Sequence, residues 1–246
     1  MIVNKYKYGL VKYCDCLDEE HGMPSLPDKS IDLGYTDPPW GVNMHKRKER
    51  QYHGKTLKWD EKKEYFKDSF NPEWNLLWFK ELERICNSII LVISEKYKYW
   101  WIRNTKPKGD LMIHWINGFS MSPIANHNQK STYLFYGKFN NRLHKDVIDA
   151  TLKWGFLKRG RQKFIHPSPK GTEIILKILK QLKPKSLIDP FIGSGSYGEA
   201  CEILDIPWFG YEINEIYQDD VKLRMSNVNT TKSGLKYWLE HYLEQL

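Results

Sequence analysis

Ser186-Leu187-Ile188-Asp189, Gly193-Ser194-Gly195-Ser196-Tyr197-Gly198 and Trp208-Phe209-Gly210-Tyr211-Glu212-Ile213 follow one another in the last third of the chain. The first piece is a short apolar run and reads as a strand. The second is a G-x-G-x-x-G loop, with residues 199–204 opening a helix behind it. The third is another strand, and Glu212 stands at its end. Strand, glycine loop, helix and strand form the unit that binds an adenosine-containing cofactor. The glycines let a ligand approach the backbone, the helix N-terminus offers free N–H groups, and an acidic residue about twenty positions on accepts from ribose hydroxyls. NAD and S-adenosylmethionine fit this pattern equally, and a glycine turn with no ligand would look the same.

Nearer the N-terminus, Ile31-Asp32-Leu33-Gly34-Tyr35-Thr36 is a second apolar run, and it ends at Asp37-Pro38-Pro39-Trp40. Two prolines cannot continue a sheet ladder because neither donates an N–H, and both fix φ. A carboxylate, stiff carbonyls and a large ring are therefore held together at a strand end. That combination can grip a planar amine, with two acceptors for its N–H groups and a ring for its face. An isolated D-P-P-W is more often an ordinary turn, so its weight depends on the rest of the chain.

The 246 residues carry a formal net charge of +8 and are 14% aromatic. One α/β domain with a sizeable core fits that length. A basic, aromatic surface suits a polyanion whose bases can be stacked. Cys14, Cys16, Cys86 and Cys201 lack zinc-ligand spacing, so reduced thiols and no metal are expected. The first residues are too polar for a signal peptide, and no apolar run approaches ~20 residues. A soluble, cytoplasmic protein without membrane contact is the expectation.

Residues 8–16 read as a strand ending at Asp15. The segment from His45 through Lys46, Arg47, Lys48 and Arg50 to Trp59 is charged and without clear period, which predicts an exposed loop and phosphate contacts. Leu76, Leu77, Phe79, Leu82 and Ile85 predict a helix over 74–86. The β-branched run 88–94 predicts a doubly buried, parallel strand. A Lys/Pro/Gly loop over 103–110 and strands at 111–116 and 132–136 follow. Residues 153–163 mix Lys158, Arg159 and Arg161 with Trp154 and Phe156, which suits phosphates and stacked bases. Ile174, Ile175, Ile178, Leu179 and Leu182 predict a helix ending before Pro184, and Leu235, Trp238, Leu239, Tyr242 and Leu243 a last amphipathic helix.

Asp189-Pro190-Phe191-Ile192-Gly193-Ser194-Gly195-Ser196 resembles the cofactor motif DPFxGSGT of the DNA amino-methyltransferases. His166-Pro167-Ser168-Pro169-Lys170-Gly171 is similar to their HPTQKP segment, and Asp37-Pro38-Pro39-Trp40 to their catalytic (D/N/S)PP(Y/F/W). Cys14-Asp15-Cys16-Leu17 and the stretch from Leu26 to Leu33 resemble their GDCLE…LPDxSVDLI lead-in. Catalytic motif first and cofactor motif last is the circularly permuted order of the β class. Gly171, Ser196 and Cys14 depart from the usual proline, threonine and glycine. The likeness is faint between about residues 96 and 163.

The resemblance implies a Rossmann-like methyltransferase fold, α/β, with a mostly parallel sheet and helices on both faces. It implies one catalytic domain over 1–246: a catalytic half (1–95), a short inserted target-recognition region (about 96–163) and a cofactor half (164–246). S-adenosyl-L-methionine is the implied cofactor, held by Asp15, His166, Pro167, Lys170, Asp189, Pro190, Phe191, Gly193, Ser194, Gly195, Ser196 and Glu212. Asp37, Pro38, Pro39 and Trp40 are the implied catalytic group, acting on the exocyclic amine of a base flipped from double-stranded DNA. Lys46, Arg47, Lys48, Arg50, Lys158, Arg159 and Arg161 would hold DNA. Asp in the first motif position points to adenine N6, with cytosine N4 as the alternative. A homodimer and a cognate restriction endonuclease are further implied partners. A nicotinamide-dependent oxidoreductase would leave D-P-P-W unused, and intact Asp37, Gly193 and Gly195 oppose an inactive nucleic-acid-binding protein.

Overall fold

The computed structural model describes residues 1–41, 69–116, 130–150, 164–166, 169–226 and 228, together with the backbone of 49–52 and 55–58. Its centre is β6 (Cys86–Ile93), where the apolar run is buried on both faces. Ile90 and Val92 enter one core cluster, while Ile89, Leu91 and Ile93 enter the other. That division is the two-residue period of a strand acting on an unbroken apolar sequence.

β3 (Ile31–Thr36) runs parallel beside β6, and β10 (Leu187–Asp189) parallel beside β3. β11 (Trp208–Tyr211) and β2 (Gly9–Tyr13) continue the parallel set outward. β1 (Ile2–Lys5) closes that edge antiparallel to β2. On the other side β8 (Lys130–Gly137) pairs antiparallel with β6, then come β7 (Gly109–Trp115) and β9 (Val147–Ala150). Among the described residues the result is a nine-stranded sheet in the order β1-β2-β11-β10-β3-β6-β8-β7-β9.

Helices cover both faces. α1 (Pro72–Ile85) starts at Asn71, whose side chain accepts from the Trp74 N–H, and buries Trp78, Phe79, Leu82 and Ile85 in one cluster. Gly34 of β3 lies beneath it, where an added Cβ would come within 3.0 Å of Leu82. α3 (Glu173–Leu182) and α4 (Ser196–Leu204) pack in the opposite cluster, joined by Val221 of α5 (Gln218–Ser226). The helix after β10 and the helix after β3 therefore lie on opposite faces. Between these neighbouring strands the sheet switches direction of winding, and outside their carboxyl ends is where open α/β sheets carry their ligand crevice. β3 precedes β10 in sequence, so the motif order is permuted as the resemblance implies.

Several expectations need correction. Residues 49–52 and 55–58 form a two-stranded antiparallel ribbon, β4 (Glu49–Tyr52) with β5 (Lys55–Lys58), where a loop was expected. Residues 103–105 end α2 (Lys98–Thr105) instead of belonging to a loop. β6 has a parallel neighbour on one side only. β2 stops at Tyr13, so Asp15 lies in the following turn. α4 begins at Ser196, three residues earlier than expected, because Gly195 at φ 87° already turns the chain into it. α5 left no apolar period to read, since two of its three buried residues, Asp220 and Arg224, are charged. The expected C-terminal helix and the 153–163 segment lie outside the described residues.

Candidate active site

The carboxyl ends of β2, β11, β10 and β3 present four acids along one rim, in the order Asp15, Glu212, Asp189, Asp37. Asp189 is fully buried. Its Oδ1 accepts from the Thr36 hydroxyl at 2.6 Å and from the Phe191 N–H at 3.0 Å, which ties the ends of β3 and β10 together. Its Oδ2 is buried and has no hydrogen-bond partner among the described residues. Burial pushes the carboxyl up to about 7 despite those two bonds. An orphaned carboxylate oxygen of this kind fits a ligand that brings a cation or an N–H donor.

Glu212 is also buried, and burial pushes it up to about 7. Its Oε2 accepts from the Gly193 N–H at 3.0 Å and its Oε1 from the Asn214 N–H at 2.9 Å. It therefore braces the glycine loop from the carboxyl end of β11. Gly193 and Gly195 both have positive φ, 52° and 87°, where a side chain would be strained. An added Cβ at Gly193 would meet His166 Nε2 at 2.9 Å. His166 itself packs edge-on against Tyr217 at 4.6 Å.

Arg224 joins the pieces of this cradle, although no motif or period in the sequence marks it. Its guanidinium donates to Glu199 Oε2 at 2.8 Å, to the Lys170 carbonyl at 2.8 Å and to Ser194 Oγ at 3.1 Å. Glu199 also accepts from the Thr172 hydroxyl at 2.6 Å. One turn earlier on α5, Asp220 accepts from the N–H groups of Ile165 and His166 at 2.9 and 2.7 Å. These two positions thus tie residues 164–166 and 169–172 to the glycine loop. Their partners lie some 25 to 55 positions away in sequence, so no local spacing reveals them.

At the other end of the crevice, Asp37 Oδ1 accepts from Trp40 Nε1 at 2.6 Å, which fixes ring and carboxylate together. Asp37 Oδ2 is 2.9 Å from Lys170 Nζ, and that ammonium lies 4.4 Å from the centroid of the Trp40 ring. Pro38 is buried and Pro39 half-buried behind them.

Other expected site residues are placed less directly. Asp15 is exposed, and its Oδ1 accepts from the Leu17 N–H at 2.9 Å, capping its own turn. Pro190 is buried in the loop and Ser196 in the first turn of α4. The Phe191 ring packs with Trp74 and Trp78 on the α1 side, at 5.6 and 5.0 Å. Pro167, Lys46, Arg47, Lys48, Lys158, Arg159 and Arg161 lie outside the described residues, as does the side chain of Arg50 on β4. No group of three potential metal ligands occurs among the described residues. No described helix is long and apolar enough to cross a membrane.

Sheet order, crevice and permuted motifs define a Rossmann-like methyltransferase fold. Known proteins agree at that level. The PvuII DNA methyltransferase, described as cytosine-N4-specific, superposes with a TM-score of 0.62 at 14% identity, over 93% of this chain and 92% of that one. The M1.HpyAVI–SAM complex superposes at 0.57 and 16% identity, over 87% and 98%. The Type II methyltransferase M.HinfI of Haemophilus influenzae is 21% identical over 257 residues, 90% of this chain and 69% of that protein. No protein-family model matches the chain.

Proposed function

We propose that this protein is a DNA amino-methyltransferase that uses S-adenosyl-L-methionine. The observation that carries the reading is the pairing of two sites on adjacent strands. The Asp189–Glu212 cradle with its glycine loop ends β10 and β11, and Asp37-Pro38-Pro39-Trp40 ends β3 next door. The SAM complex and the methyltransferases among the similar proteins support it. A nicotinamide oxidoreductase would have no use for Asp37 and Trp40.

S-adenosyl-L-methionine supplies an electrophilic methyl group when bound. The orphaned Asp189 oxygen suits its cationic amino-acid end, and Glu212 suits ribose hydroxyls. Asp37 and the Pro38 carbonyl accept the two N–H groups of the target amine. An exocyclic amine is a weak nucleophile because its lone pair is delocalised into the ring, and these acceptors let it pyramidalise. They also stabilise the positive charge that develops on nitrogen more than they stabilise the neutral amine, which is the source of rate. Trp40 stacks on a base that has been flipped from double-stranded DNA.

Adenine N6 is the target we favour, on the Asp in the first motif position; the likeness to a cytosine-N4-specific enzyme is the observation for the alternative. The whole chain acts as one catalytic domain in the cytoplasm, with a short recognition segment between its halves. A homodimer and an accompanying restriction endonuclease fit the same reading. Incubating unmethylated DNA with protein and cofactor, then analysing nucleosides by mass spectrometry, tests it. N6-methyladenine is the expected product. N4-methylcytosine alone changes the base, and absence of both overturns the proposal.

A further inference from the structure

The contacts of Lys170 duplicate those required of the target amine. Its ammonium is 2.9 Å from Asp37 Oδ2 and 4.4 Å from the Trp40 ring centroid. A base amine in transfer needs that carboxylate oxygen, and its ring needs the same face of Trp40. Carboxylate and indole are locked to each other through Trp40 Nε1, so the subsite keeps its shape whichever donor fills it. We infer that Lys170 is an internal stand-in for the substrate amine, filling the amine subsite until a flipped base displaces it. This rests on the proposed amino-methyltransferase reading.

Two further observations support displacement. The backbone of Lys170 is held by Arg224 through its carbonyl at 2.8 Å, while its side chain remains 41% exposed. The ammonium can therefore swing to solvent by rotamer changes on a fixed pivot. Positive charge also grows on the target nitrogen during transfer, and a second cation on Asp37 would oppose it. The lysine therefore leaves before the transfer step. In the base-free enzyme it spares Asp37, whose side chain is only 10% exposed, from standing beside an apolar ring without a counter-charge. Seating a base then costs the release of one half-exposed ion pair and one cation–π interaction.

The test compares wild type with Lys170→Met and Lys170→Arg in full-length protein, using tritiated S-adenosyl-L-methionine and unmethylated genomic DNA. Removing the competing cation should raise kcat/KM for DNA by roughly three- to tenfold in Lys170→Met, the combined strength of a half-exposed ion pair and a cation–π interaction. Lys170→Arg, which keeps a cation there, should stay below Lys170→Met. Calorimetry with S-adenosyl-L-homocysteine and a thermal melt establish that Lys170→Met is folded and cofactor-competent. A fall in kcat/KM with cofactor affinity intact overturns the stand-in and makes Lys170 a participant in transfer. A loss of cofactor affinity assigns it to the cofactor instead, and also overturns the inference. No transfer by wild type to any DNA defeats the amino-methyltransferase reading itself, and this inference falls with it.

Discussion

Around the glycine loop the functional carboxylates are bonded to backbone or to buried partners: Glu212 to the Gly193 and Asn214 N–H groups, Asp189 to Phe191 N–H and the Thr36 hydroxyl. Around Asp37 the bonds go to side chains, Trp40 Nε1 and the half-exposed Lys170. The first arrangement is preorganised, because its carboxylates are buried and tied to the backbone of the turns that follow β10 and β11. The second can exchange one donor for another. A cofactor cradle gains from rigidity, since ordering costs are met on folding and not on binding. If the site admits a base drawn from a duplex, as proposed, it gains from an occupant that can leave.

The largest effect should come from the buried ion pair behind the rigid side. Arg224 and Glu199 have side chains only 5% and 7% exposed, so removing one leaves the other uncompensated. Arg224→Ala should cost about 3–5 kcal/mol in denaturant unfolding. A loss below about 1 kcal/mol would mean that the cradle is not held from α5, and the contrast would lose its basis.

Next in size is Asp37. Asp37→Ala should lower methyl transfer by at least about 10²–10³-fold, as for loss of a donor or acceptor aimed at developing charge. Cofactor affinity measured by calorimetry should hardly change, because Asp37 belongs to the exchangeable side. Retained activity would sink the mechanism. A parallel loss of cofactor binding would merge the two regions into one.

A smaller change is expected at Glu212. Glu212→Ala should weaken S-adenosyl-L-methionine by about 1–3 kcal/mol through lost charged hydrogen bonds. Glu212→Gln, which keeps an acceptor for the Gly193 N–H, separates bracing from ribose contact. Unchanged affinity in a folded Glu212→Ala removes Glu212 from the cofactor site.

The gentlest effect is on pH dependence. Asp189 and Glu212 both lie near 7 in the folded, ligand-free protein, raised by burial from ordinary carboxylate values. Between about pH 4 and pH 7 the folded state then holds more protons than the unfolded state. Ligand-free stability should fall as pH rises through that window, by at most about 1.4 kcal/mol per pH unit for each group. Asp189→Asn should flatten the slope in melts recorded across it. An unchanged slope would show that Asp189 does not carry the effect.

Strands β2, β3, β6, β7, β8, β10 and β11, the helices of strong apolar period and the glycine and Pro-Pro turns were legible because each depends on neighbours in sequence. The short β1, β4, β5 and β9 have no such pattern and went unread. Ile89 to Ile93 alternate between two cores by the geometry of one strand, and Gly193 and Gly195 take positive φ within one loop. Asp37-Pro38-Pro39-Trp40 is a turn whose stiffness is written in its prolines. α5 was not legible, nor was the role of Arg224, because its buried face is mostly charged and its partners come from α4, the glycine loop and Lys170. The ion pair between the Lys170 ammonium and Asp37 likewise joins two motifs more than a hundred residues apart, and neither motif signals it. Sequence by itself determined which residues carry acids, rings and turns. Only the tertiary structure decided which of those groups meet, because a charge is buried where distant elements converge to compensate it, and that convergence has no local signature.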